Sequence, residues 1–165
     1  MTKAAPTGPW VLLSYRLPRE PSTPRITIWR KLKRLGVAQI SDGLVALPAD
    51  ARTREHLDWI ADEIIAADGT ATVWLAQPAS RGEERRLAQT MADARAAEYR
   101  AVHAQATEAQ ALPAADRTRA LRRLRAELRR IHRRDYFPPT DRRHATAAVD
   151  ALHPDHPPST KDTAS

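Results

Sequence analysis

Between residues 117 and 134 the chain carries nine arginines, Arg117, Arg119, Arg122, Arg123, Arg125, Arg129, Arg130, Arg133 and Arg134, against one acid, Glu127, and no lysine. A guanidinium is planar, permanently charged and forked, so this composition suits bidentate grip on phosphates or base edges rather than proton transfer. A charge of +8 in 18 residues repels itself and calls for a counter-anion. The competing reading is a solvated helix face over a buried seam. Arg122, Arg123, Arg125, Arg129, Arg130, Arg133 and Arg134 are the candidate nucleic-acid contacts. A second basic group, Arg30, Lys31, Lys33 and Arg34, reads equally as nucleic-acid contacts or as the solubilising outer face of a helix over a sheet. Around a proline-rich loop, Arg16, Arg19 and Arg25 form a candidate site for a small oxyanion.

Other chemistries lack their residues. With no cysteine there is no disulfide, thiol nucleophile or Cys-based metal site. His153 and His156 are separated by Pro154, which argues against the helix that would align them, so no metal site is expected. No glycine-rich phosphate loop, Ser-His-Asp order, dinucleotide fingerprint, helix-turn-helix or zinc-finger signature appears. Catalytic residues and cofactors are accordingly expected to be none. The net charge of +7 is concentrated: +8 lies in residues 117–134 and −1 is spread over all the rest. No segment has the apolar length of a signal peptide or membrane span, so a cytoplasmic protein with no membrane partner is expected.

Local patterns predict the elements that position these charges. Residues 10–17 (WVLLSYRL) put apolar side chains on both faces of a strand, as a central strand requires. Pro24 sits in the first turn of a helix over residues 24–35, where Ile28, Trp29, Leu32 and Leu35 form one stripe and Gly36 ends it. Two β-prone runs flank Asp42-Gly43, a hairpin signal. Asp50 caps a second helix carrying Leu57, Ile60, Ile64 and Ala67 until Asp68-Gly69, and residues 70–76 form another strand. Trp29 and Trp59 are expected in the core, whereas Trp74 fits either face of its strand. The order β-α-β-β-α-β predicts an α+β, ferredoxin-like sandwich. Long helices follow over residues 82–111 and 115–134. Leu121, Leu124, Leu128 and Ile131 form a seam in the latter, best buried by antiparallel pairing, with His103 and His132 facing each other. A short helix over residues 141–152 completes a division into a flexible leader (1–9), a ferredoxin-like domain (10–78), a helical extension (82–152) with its Arg-rich helix (115–134), and a disordered tail (153–165).

The segments WVLLSYRLP (10–18), PR (24–25), WRKLKRLG (29–36), GLVALP (43–48), EY (98–99) and IHRRDYF (131–137) resemble the N-terminal domain of the chromate-resistance regulator ChrB. The strand, basic helix and glycine hairpin are also similar to the ferredoxin-like domain of PaaX-type repressors and of small CRISPR-associated nucleases. The ChrB resemblance implies a cytoplasmic, DNA-linked regulator of chromate resistance, and would make chromate a candidate oxyanion. Larger family members carry a second, chromate-resistance domain for which 165 residues leave no room, so a separately encoded partner is an expectation. The nuclease likeness would require a metal-binding carboxylate at the end of the first strand, where this chain has Arg16, so cleavage is not expected. The expected function is DNA binding and transcription regulation without catalysis, with DNA as partner and a homodimer as a candidate assembly. The alternative is an interaction or dimerisation module that ignores DNA.

Overall fold

The computed structural model describes residues 8–156. Residues 1–7 of the expected leader and 157–165 of the expected tail lie outside them. The elements run β1 (Trp10–Arg16), α1 (Thr23–Leu35), β2 (Ala38–Ser41), β3 (Leu44–Pro48), α2 (Ala51–Ala66), β4 (Thr70–Ala76), α3 (Arg81–Ala109), α4 (Ala114–Arg133) and α5 (Asp141–Asp150). The chain divides into two compact units, one ending at Met91 and the next beginning at Ala92.

In the first unit the sheet order is β2-β3-β1-β4 with every neighbouring pair antiparallel, the ferredoxin-like arrangement. β1 is central because it can bury apolar groups on both faces. Val11 and Leu13 are fully buried with Val45 and Leu47 of β3, Ile28 and Leu32 of α1, and Leu57, Ile60 and Ile64 of α2. Trp10 turns to the other face, is also buried, and its indole N–H donates to Glu84 of α3 (3.2 Å). Asp50 caps α2 as its residue type predicts: its carboxylate accepts from Thr53 N–H (2.7 Å) while Thr53 Oγ1 accepts from Asp50 N–H (2.9 Å).

The β2–β3 turn is made by Gly43 at φ 73°, whose carbonyl accepts from Tyr15 N–H at 2.8 Å. A Cβ here would lie 2.4 Å from the Tyr15 carbonyl oxygen, backbone that cannot move aside. Gly43→Ala is therefore expected to cost about 1–3 kcal/mol, read as a lower urea midpoint at unchanged slope.

The second unit is a helical hairpin with a third helix laid back along it. Glu98 and Tyr99 reach Arg134 and Asp135 while Gln105, further along α3, reaches back to Arg123, which defines antiparallel pairing of the last part of α3 with α4. The predicted seam, Leu121, Leu124, Leu128 and Ile131, is buried against Tyr99, Val102 and Ala106 of α3 and Ala145 and Val149 of α5.

Three expectations are corrected. Trp59 is 55% exposed rather than in the core, because it lies two residues beyond Leu57 and so about 200° around α2 from it. Trp29 is only half-buried, with Lys33 Nζ 5.3 Å above its ring. His103 is exposed, and His132 packs on Tyr99 instead (ring centroids 5.8 Å). Among the described residues no helix is long and apolar enough to cross a membrane.

Candidate nucleic-acid interface

The seam of α4 fixes where its arginines go. With Leu124 and Leu128 turned inward, a 100° step per residue sends Arg119, Arg122, Arg129, Arg130 and Arg133 to the opposite crest, and all five are exposed. Arg119 is paired with Asp116 one turn earlier. Arg122, Arg129 and Arg133 face no carboxylate among the described residues; Arg133 donates only to the Arg129 carbonyl (3.4 Å). Their spacing of seven and four residues spreads the three guanidiniums over about 16 Å of helix.

The flanking arginines do structural work. On the α3 side Arg134 is 18% exposed and forks onto Glu98, donating to Oε1 at 3.0 Å and Oε2 at 2.6 Å. Arg95 also donates to Glu98 (2.9 Å), and Arg123 donates to Gln105 Oε1 (2.7 Å). Toward α5, Arg125 stands 3.6 Å from Asp150. Arg130, on the crest, is exposed and folds onto Glu127 (Nε 2.9 Å). Of the seven candidates on this helix, Arg122, Arg129 and Arg133 thus form an unneutralised crest, Arg123, Arg125 and Arg130 have local partners, and Arg134 is a packing residue.

Below Arg134 lies a buried polar cluster that composition does not reveal. The Asp135 side chain is fully enclosed; it accepts from the Tyr99 hydroxyl at 2.7 Å and stands 3.6 Å from Arg142 of α5. Burial, then the bond to Asp135, pushes the Tyr99 hydroxyl well above the usual phenol range. Asp135 Oδ1, His132 Nε2 and Arg95 Nε are buried without a hydrogen-bond partner. The EY and IHRRDYF segments that carry the family resemblance are the ones that meet here, Glu98 with Arg134 and Tyr99 with Asp135. Pairing between those two segments was the signal available in the sequence.

His132 gives this cluster a pH dependence. Burial, reinforced by Arg142 and opposed by Asp135, holds its imidazole below the ordinary 6.5. Below about pH 6.5 the unfolded chain binds a proton at this site that the folded chain refuses, so stability declines as pH falls through that value toward the lower folded pKa. Urea midpoints measured across this range are expected to drop, and His132→Gln to flatten the drop.

In the first unit Arg30, Lys33 and Arg34 are exposed on α1, while Lys31 is held by Glu63 of α2 at 2.5 Å. Half-exposed Trp59 stacks edge-on against His56 (5.8 Å) beside this group, in a groove that also includes Lys31 and Arg34. The oxyanion candidates sit on β1, the bend after it and α1. Arg16 leaves the end of β1 on the face opposite Tyr15, Arg19 stands in the following bend, and the charge of Arg25, in the first turn of α1, acts on Tyr15. All three are exposed. Among the described residues no group of three or more His, Asp or Glu side chains is placed to hold a metal ion.

Comparison with known proteins decides the family. A family model described as "Protein ChrB, N-terminal" matches residues 25–112, more than half of the chain. The chain belongs to the ChrB N-terminal family. The match runs from α1 to the end of α3, so the crest on α4 lies beyond it. A curated relative, Protein ChrB of Cupriavidus metallidurans (strain ATCC 43123 / DSM 2839 / NBRC 102507 / CH34), is 32% identical over 105 residues, which are 64% of this chain and 29% of that protein. The chain therefore matches somewhat less than a third of the length of that ChrB relative. No solved structure matches.

Proposed function

We propose that the chain binds DNA as a non-catalytic transcription regulator in chromate resistance, acting in the cytoplasm. The observation that carries this reading is the crest of α4, where Arg122, Arg129 and Arg133 are exposed, aligned and without a counter-charge from the chain itself. A row of guanidiniums left unneutralised by the fold finds its counter-charge in a row of phosphates, and each phosphate neutralised releases counterions to the solvent. The ChrB family supplies the process.

The test is binding to duplex DNA from upstream of the chain's own operon, followed by fluorescence anisotropy across a salt series. The expected result is an affinity that falls steeply with salt, with a logarithmic slope of about −0.9 for each phosphate contacted. Absence of binding at low salt overturns the proposal and leaves an interaction module.

A further inference from the structure

The geometry points to the outer edge of β4 as the docking surface for a second copy of this chain, two β4 strands pairing antiparallel about a two-fold axis at Val73. The sheet has two edges, and they are built differently. β2 is four residues long and its register with β3 slips between Gln39 and Ser41, a short and bulged edge of the kind that resists pairing. β4 is seven residues long and keeps an unbroken register with β1 from Thr70 to Ala76. Its other side therefore offers an equally regular row of main-chain donors and acceptors. The strand TATVWLA contains no charge and no proline, the two devices that usually keep such an edge apart from its like.

One large apolar side chain stands exposed on each face of this edge. Trp74, 53% exposed and fixed by its indole N–H donating to Ser14 Oγ (3.0 Å), stands on one face; Leu75, 57% exposed, stands on the other, where α2 packs on β4 and leaves Ile65 55% exposed. The order of residues selects a second copy over an unrelated strand. Turned about Val73, the sequence sets Trp74 opposite Thr72 and Leu75 opposite Ala71, large against small on each face, so that one surface complements itself as a two-fold interface must. The apolar seam of α4 is buried within its own unit and leaves no comparable surface there for a second copy. This inference is independent of DNA binding, and its test contains no DNA.

Light scattering on the full chain is expected to give twice the 18.4 kDa of one copy, and the double variant Trp74→Glu with Leu75→Glu to give one copy with an unchanged circular dichroism spectrum. Because the chain has no cysteine, Val73→Cys supplies a single thiol that faces itself across the proposed axis. Mild oxidation is expected to lock that variant as a covalent dimer and to leave Ile40→Cys, on the opposite edge, uncrosslinked. A wild-type chain that is monomeric at micromolar concentration overturns the proposal, as does a dimer in which Val73→Cys fails to crosslink. Should the double variant fail to fold, the crosslinking pair decides alone.

Discussion

Replacing Arg122, Arg129 and Arg133 together by alanine is expected to weaken binding to duplex DNA about a hundredfold at moderate salt and to flatten its logarithmic salt slope by about three. The affinity figure takes about 1 kcal/mol for each solvent-exposed ion pair with a phosphate, and about 1.4 kcal/mol for each factor of ten. None of the three touches a carboxylate, and each stands on solvent opposite the Leu124–Leu128 seam. Unfolding should therefore be unchanged or slightly harder, since like charges leave a helix that repels itself. Arg134→Ala is the discriminating control. Its guanidinium is committed to Glu98, so its loss should lower the urea midpoint while leaving the salt slope intact. If the crest variant keeps the wild-type slope, the crest is only a solvated face and the DNA reading fails.

Asp135→Ala carries the largest expected cost in stability, about 2–4 kcal/mol by urea unfolding. The carboxylate is wholly enclosed and serves two elements at once: the Tyr99 hydroxyl of α3 donates to it and Arg142 of α5 stands beside it. Removing it strands a buried hydroxyl and separates an arginine from its counter-charge, in addition to opening space near His132. Tyr99→Phe should cost less, about 1–3 kcal/mol, because it leaves Asp135 one donor short while Arg142 still stands beside the carboxylate. The double variant should then show a coupling of about 0.5–3 kcal/mol, the signature of residues sharing one network. Additive losses would mean that the contact contributes nothing of its own.

The parts of the structure that depend on local rules were legible in advance. Pro24 and Gly36 bound α1, Asp50 caps α2, Asp42-Gly43 turns the hairpin, and the doubly apolar WVLL segment sits at the sheet centre. Each of these is decided within a few residues of the chain. What escaped depends on partners far away in sequence: Arg134 is drawn from the list of free cations by Glu98, 36 residues away, and Lys31 by Glu63, 32 residues away. A charge count cannot tell a cation that faces solvent from one already answered across a helix pair. Trp59 was lost differently, since its angle around α2 was readable from its distance to Leu57 and was outweighed by its apolar character. The difference between the two sheet edges also required the register, because the slip in β2 has no mark in its composition.

The crest of α4 is made of arginine alone. A guanidinium keeps its proton at any pH a cell reaches, and acetylation, which silences lysine, does not apply to it. The attraction this helix exerts on an anion is thus a constant of the molecule, set when the chain is made and indifferent to acidity. Any signal that releases such a protein from its partner must work by moving the helix, by occupying the arginines with another anion, or by changing how many copies present them together.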